Sequence, residues 1–445
     1  MPEVYLGTQQ NSGPWASSSI CDRRTHHTGA RSCHTVRVYT SPSELDDHRA
    51  QVSTGWISRY GLMYFGQNIA WSTPSQLLIA NQILIWHPGN KEQLLGWLMG
   101  VGGITSMAGS LIVGVLSDRT HSRFGRRAPW VLGGAIAAAA ALLGAAFAPG
   151  YAFLFAIWAF FQLVLAFSIT SAQTIPPDRV PTQQYGTISG VMGVTYTIAV
   201  VAGSVVGAML SIKIAYLITA AVLMCGVLPF LLVDRDQPST KIVERKAHGP
   251  LLPKWSEATD FWWVFITRLL VTMAQAIALF YLLYYLRDRI GMKTDAANQG
   301  VMILSIIYAV CVIITAVWSG RSSDRSGRRK IYVGLSSAGV AIAALILVFA
   351  QEFSFVIVAA IVLGMSWGVY QAIDQALINQ ILPSEEDRAK DMGLMNLAVA
   401  IPNAAAPFIA AQVLAQGLGY AGLYIIAAGL TLTGAVLIVK VKGVR

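Results

Sequence analysis

The sequence predicts an all-α membrane protein of twelve transmembrane helices in two parallel-repeated six-helix halves, and three observations carry that prediction. Of 445 residues, 55% are apolar and only 12% are charged, against about 25% charged in soluble domains. Charge-free runs longer than the roughly 20 residues a spanning helix needs recur along the chain. The stretch Gly114-Val-Leu-Ser-Asp118-Arg119-Thr-His-Ser-Arg123-Phe-Gly125-Arg126-Arg127 returns in shorter form as Gly320-Arg-Ser-Ser-Asp324-Arg325-Ser-Gly327-Arg328-Arg329-Lys330. Asp118 and Asp324 stand 206 apart, whereas Gly125 and Gly327, like Pro181 and Pro383, stand 202 apart. One helical bundle has therefore been duplicated in parallel orientation.

Taken in order, residues 1–55 are polar, rich in Ser, Thr, His and Arg, and without the apolar core of a signal peptide. They read as a disordered cytoplasmic tail. Cys21, Cys33, His26, His27 and His34 in it match no zinc spacing. The run 60–90 supplies span 1, near 59–86, and 93–117 supplies span 2, near 94–116. The run 128–177 holds two helices, divided at Pro149-Gly150 into span 3 near 129–149 and span 4 near 151–177. Spans 5 and 6 lie near 187–211 and 214–233; Gly203 and Gly207 in span 5 are read as helix-packing residues.

A charged linker, 234–260, follows, with Trp255, Trp262 and Trp263 placed for a membrane interface. Span 7 lies near 261–286, span 8 near 297–318, span 9 near 331–350 and span 10 near 354–382. The last run, 392–439, divides at Gly417-Leu-Gly419 into span 11 near 392–414 and span 12 near 420–440. The expected units are thus a tail 1–55, a first half 56–233, the linker 234–260, a second half 261–440 and a short tail 441–445. Cys225 and Cys311, inside spans, are read as packing residues, and no disulfide is expected.

Orientation follows from Lys and Arg, which cytoplasmic loops retain. With the N-terminus inside, inner loops and the C-tail hold 20 of them and outer loops 5. Both termini are expected to be cytoplasmic, in a plasma (inner) membrane. The net charge of +10 is explained by this bias, so no nucleic-acid partner is expected. No G-x-x-x-x-G-K-[ST] occurs, which argues against ATP-driven pumping. An enzyme would need His, Cys or paired carboxylates in the spans, and a duplicated loop on one face suits rocking halves better than a channel.

The Gly-x-Leu-Ser-Asp-Arg…Gly-Arg-Arg loop between spans 2 and 3, repeated between spans 8 and 9, resembles the signature loop of the major facilitator superfamily over about 57–445. Ser117-Asp-Arg…Ser122-Arg-Phe-Gly-Arg-Arg, Pro177-Asp178-Arg-Val-Pro181 and Leu382-Pro-Ser-Glu-Glu-Asp-Arg388-Ala-Lys-Asp391-Met-Gly393 are most similar to the sucrose/glycoside:cation symporter group and its bacterial relatives. The resemblance implies a cytoplasmic gate built from Gly114, Asp118, Arg119, Gly125, Arg126, Arg127, Asp324, Arg325, Gly327, Arg328 and Arg329. In it, Asp118 would meet the start of span 11 near Met392, and Asp324 the start of span 5 near Thr187, latching the outward-facing state. Electrostatics agrees, since a carboxylate near lipid needs a partner and a helix start carries about half a positive charge.

The resemblance also implies a transport site at the midplane, lined by spans 1, 4, 7 and 10. At 100° per residue, Tyr64, Gln67, Asn68, Trp71, Ser75 and Gln82 share one face of span 1. Trp158, Gln162 and Gln173 share a face of span 4, Arg268, Thr272 and Gln275 one of span 7, and Trp367, Tyr370, Gln371 and Asp374 one of span 10. Polar groups in lipid are costly unless they meet partners or a wet cavity. Interhelical bonding accounts for any single amide but poorly for four coincident faces, so substrate contact is assigned to Tyr64, Gln67, Asn68, Trp71, Trp158, Gln162, Gln173, Gln275, Trp367, Tyr370 and Gln371.

Asp374 and Arg268 are the clear intramembrane charges, each roughly 10 to 13 Å deep at 1.5 Å per residue, and are assigned to proton coupling. A static pair, or an Arg268 that snorkels to the interface, is the alternative. Leu94 to Leu116 holds no acidic residue, which departs from the sodium-coupled members of the symporter group, and Thr170-Ser-Ala-Gln173-Thr174 lacks the carboxylate of the plant sucrose carriers. Span 5 has no proline, unlike drug/proton antiporters. The expectation is a monomeric, lipid-embedded proton symporter for a small polar solute, a sugar or glycoside, with no other cofactor and no metal; the alternative is an efflux carrier for an amphipathic metabolite held by Trp71, Trp158 and Trp367.

Overall fold

A computed structural model describes residues 15–21, 33–39, 50–120, 122, 125–181, 184–234, 255, 258–326, 329–381 and 388–441. Helix α1 enters at Ser53, whose side chain accepts from the Trp56 amide, and runs Thr54–Thr73. At Pro74 the missing N–H and the ring break the regular ladder. A π turn, Pro74–Leu78, absorbs the defect, and the helix continues as Ile79–Trp86. The others are α2 Lys91–Arg119, α3 Ala128–Ala146, α4 Tyr151–Gln173, α5 Tyr185–Met209, α6 Ile212–Val233, α7 Thr259–Phe280 with a continuation Leu282–Asp288, α8 Thr294–Ser326, α9 Arg329–Phe349, α10 Phe353–Ile381, α11 Arg388–Ala415 and α12 Gly419–Leu437.

Eleven of these are individually long and apolar enough to cross a membrane, by length and composition; α1, divided by its π turn, makes the twelfth. The turn expected at Gly417-Leu-Gly419 is made by glycines at φ +79° and +62°, a left-handed backbone that side chains with a Cβ resist. The far ends of α7 and α2 lie beyond the expected spans, so α2 begins at Lys91 with Glu92 in its first turn. One expectation fails in the tail. Trp15–Cys21 and Cys33–Tyr39 pair as antiparallel strands β1 and β2, from Trp15↔Tyr39 to Cys21↔Cys33. β-Branched Thr35, Val36 and Val38 favour the pleat in β2. The rest of 1–49 and the linker 235–254 lie outside the described residues.

The duplication is visible in the packing. In the first half α1 packs on α5 and α6, α2 on α4, and α3 on α4 and α6; six helices later, α7 packs on α11 and α12, α8 on α10, and α9 on α10 and α12. The halves meet through α2 with α11 and α5 with α8, pairs that the same repeat exchanges. Small residues make the approach close, as membrane helices require. A Cβ on Gly96 would fall 2.4 Å from Ala411 Cβ, one on Gly100 2.1 Å from the Phe408 ring, and one on Gly103 2.6 Å from Ala404 Cα. Leu111, Met209, Leu232, Phe349 and Val439 project outward, each at least 65% exposed, and form the apolar surface a bilayer covers.

Candidate transport site

Since α1 begins and α12 ends at one face, that face is called terminal and the opposite one far. At the far face the halves are tied together. Lys91 Nζ lies 2.9 Å from Asp288 Oδ2 and 2.9 Å from Glu92 Oε1, and 5.5 Å from the centre of the Tyr284 ring. Tyr420 donates to Asp288 at 3.0 Å. Tyr281 donates to the Glu92 and Pro407 carbonyls, both at 3.0 Å, Tyr284 to the Ala80 carbonyl at 2.9 Å, and Asn81 to Asn298 at 2.9 Å. The halves are closed at the far face.

The expected faces divide when packed. Gln67 is fully buried and donates to Ser168 Oγ at 2.8 Å, which in turn donates to the Val131 carbonyl. Asn68 turns back to the Tyr64 carbonyl at 2.7 Å, Ser75 to that of Trp71 at 2.6 Å, and Gln82 bridges the Ala145 carbonyl and the Tyr216 hydroxyl. Trp158, 2% exposed, stacks on Phe161 with its indole N–H unpartnered, and buried Gln162 lies beside it against Gly102. These residues are placed inside helix interfaces, so interhelical bonding is the right account of Gln67 and Gln82. Tyr64, Trp71, Gln275 and Trp367 are half-buried, and Gln173 and Gln371 are exposed.

At mid-depth, Gln275 of α7 donates to Tyr308 Oη of α8 at 2.7 Å. Tyr196 of α5 neighbours both Tyr308 and Tyr64, so phenols from three helices and an amide from a fourth converge between the halves. Tyr196 and Tyr308 belong to spans 5 and 8, outside the four spans expected to line the site. Their signal was a lone Tyr inside an otherwise apolar run.

One helical turn or two nearer the terminal face, Arg268 Nε stands 3.4 Å from Asp374 Oδ2, with side-chain exposures of 12% and 7%. Tyr370 lies beside the pair, stacked on Trp367 with ring centres 5.3 Å apart. Arg268 Nη1 is buried without a hydrogen-bond partner, and the Tyr370 hydroxyl faces the Asp374 carboxylate. Phe261, Val264, Val271, Ile373 and Leu377 surround this side of the second half. A cation, a carboxylate and a phenol therefore stand together beside an apolar cluster.

At the terminal face, Arg126 Nη2 lies 2.7 Å and Arg127 Nε 3.3 Å from Asp178 Oδ2, and Arg127 also donates to Ser117 Oγ. This Asp178 lies in the same half as both arginines. Asp178 anchors both arginines and lies in the Pro177–Pro181 segment that carries the family resemblance. Arg59 adds a two-point pair with Asp234, at 2.6 and 2.9 Å, closing α1 onto the end of α6. Asp118, Asp324 and Arg325 lie on the described helices α2 and α8, Arg329 begins α9, and Gly327 and Arg328 lie outside the described residues. Among the described residues no group of three His, Cys, Asp or Glu could hold a metal ion.

Twelve helices in duplicated halves, packed at one face around a polar midplane, define a multi-pass membrane transporter. The chain belongs to the Major Facilitator Superfamily, whose model matches residues 60–318 and 294–444. The nucleoside transporter NupG superposes with a TM-score of 0.70 at 14% identity, covering 87% of this chain and 99% of that one. A POT family transporter in complex with a thioalcohol-conjugated peptide also gives 0.70, at 12% identity over 86% and 95%. A bacterial homologue of the human lysosomal transporter Spinster, inward-facing and occupied, gives 0.64 at 12% identity over 88% and 96%. These likenesses establish the fold. An uncharacterized symporter of Synechocystis sp., sll1374, is 48% identical over 48 residues, which span 11% of this chain and 9% of that relative.

Proposed function

We propose that this chain is a proton-coupled symporter for a small polar organic solute of the sugar or glycoside class, set in the cell's plasma (inner) membrane with both termini cytoplasmic. The observation that carries the reading is the Arg268–Asp374 pair, buried between α7 and α10 beside the half-buried polar side chains of the midplane. A carboxylate that can exchange an arginine partner for a proton is the minimum coupling device. Gln275, Tyr308, Tyr64 and Tyr196 offer hydroxyl-matching donors and acceptors, and Trp71 and Trp367 offer rings for C–H faces. With the terminal face cytoplasmic, closure at the far face makes this the inward-facing conformation. In the opposite, outward-facing state, Asp118 and Asp324 would take up their helix-start partners. The efflux reading loses support because Trp158 packs against Phe161 and lines no open surface.

The test is Asp374→Asn in proteoliposomes. Accumulation against a gradient should be lost while downhill exchange persists, and the wild type should alkalinise the outside medium on substrate addition. An Asp374→Asn protein that still concentrates its solute would rule out this coupling site.

A further inference from the structure

The two halves repeat a side-chain clasp but not the space beside it. In the first half the Trp130 indole N–H donates to Thr120 Oγ1 at 2.8 Å; in the second, Ser322 and Tyr332, each 202 residues further on, join their hydroxyls at 2.6 Å. Three residues beyond Trp130 stands Gly133, and three beyond Tyr332 stands Leu335, 67% exposed. A Cβ on Gly133 would meet nothing within 4 Å, whereas one on its neighbour Gly134 would fall 2.6 Å from the Val164 carbonyl oxygen. Gly134 therefore lets α3 lie close on α4, and Gly133 leaves the crease between them open. The result is a groove of about 410 Å³ walled by Trp130, Ala137, Val164 and Phe167, a size that takes a ligand. The Trp130 ring stands edge-on to that of Phe167, with centres 5.8 Å apart, and its bond to Thr120 fixes that wall.

Position and charge say what fits. The groove opens at the terminal face, where α2 ends and α3 begins, and runs from Pro129 to Ala137, about 12 Å at 1.5 Å per residue. Ile136, on the same side of α3 as Gly133, is 51% exposed, so this side meets lipid. At the mouth, Arg119 ends α2 next to Thr120, and Arg126 lies 2.7 Å from Asp178. Residues 118–127 include four arginines and one aspartate, so the rim stays cationic even with Asp178 shared by Arg126 and Arg127. An apolar trough descending into hydrocarbon from a cationic rim complements a lipid with a net negative headgroup. We propose that the α3–α4 groove holds one acyl chain of an anionic phospholipid from the surrounding bilayer, with its phosphate at Arg119 and Arg126. A zwitterionic lipid brings its own cation to the same rim and gains less. The second half has the clasp without the trough, because Leu335 stands where Gly133 leaves space.

The experiment uses the purified full chain in detergent, with dioleoyl phosphatidylglycerol or dioleoyl phosphatidylcholine added and retained lipid counted by native mass spectrometry. One phosphatidylglycerol should stay bound at a concentration at least about tenfold lower than phosphatidylcholine requires, since each arginine near an anionic headgroup is worth roughly fivefold. In nanodiscs, phosphatidylglycerol with a photoreactive diazirine on its acyl chain should label peptides around 130–137 and 164–167. Gly133→Leu, which copies the second half, should abolish the tight lipid and this labelling while the unfolding midpoint in lipid-free detergent stays unchanged. Arg119→Gln, outside the trough, should cut the preference about fivefold and leave the labelled positions the same at saturating lipid. Glycerol 1-phosphate, which has the headgroup charge without the chain, should not displace the lipid. Equal retention of the two lipids, labelling spread over all the outer helices, or a preference untouched by Gly133→Leu overturns the proposal. Displacement by glycerol 1-phosphate overturns it as well, by reducing the site to its arginines.

Discussion

At the scale of single residues, two glutamines with the same sequence signature have different fates. Gln67 and Gln275 both stand in apolar runs at helical spacing from aromatic neighbours. Packing sends Gln67 into the α1–α4 interface against Ser168 and leaves Gln275 half-buried against Tyr308. A 100° period places residues on a face of their own helix, but it does not say whether that face meets a cavity or a neighbour. Gln67→Ala should accordingly cost about 1 kcal/mol of stability, the net worth of one hydrogen bond. Thermal unfolding in detergent should show the lowered midpoint, while uptake per folded molecule stays within about twofold. A large loss of transport with unchanged stability would return Gln67 to the substrate site.

At the scale of elements, closure depends on how nearly α2 and α11 touch. Gly96, Gly100 and Gly103 recur at helical spacing and face Ala411, Phe408 and Ala404. A Cβ at Gly103 would stand 2.6 Å from a backbone atom of Ala404, which cannot swing aside as a side-chain tip can. Gly103→Val should therefore wedge the far face open. Labelling of a cysteine placed at Ser305, which lies by Gln76 of the other half, should accelerate with a membrane-impermeant reagent, and inward-facing occupancy should fall. The π turn at Pro74 matters at the same scale. It sets the register of Ile79–Trp86, and with it the Asn81–Asn298 and Ala80–Tyr284 contacts.

At the scale of the whole molecule, the far-face network and, in the proposed gate, the terminal-face acids would act as opposed latches on one two-state bundle. Lys91 meets Asp288 and Glu92 with side-chain exposures of 11%, 28% and 22%. Part-exposed ion pairs of this kind contribute up to about 1 kcal/mol, enough to shift a two-state population roughly fivefold and too little to lock it. Lys91→Ala should move the resting population outward by about that factor. The change should appear as slower labelling of a terminal-face cysteine and faster labelling at Ser305→Cys, and a charge swap of Lys91 with Asp288 should restore the wild-type balance. Equal labelling in all three proteins would reduce the network to surface decoration.

The sequence by itself determined the membrane class, the twelve spans, the duplication and the family loop, because the bilayer imposes length and hydropathy on each span separately. It also marked Arg268 and Asp374, since a charge among apolar residues stands out without any knowledge of neighbours. Several features waited for the tertiary structure: the face at which the halves close, the burial of Trp158 and Gln67, and the convergence of Tyr64, Tyr196 and Tyr308. So did the network of Lys91, Glu92, Asp288 and Tyr420. Each of these joins helices far apart in the chain, and contacts between distant helices depend on crossing positions and rotations that no single helix encodes.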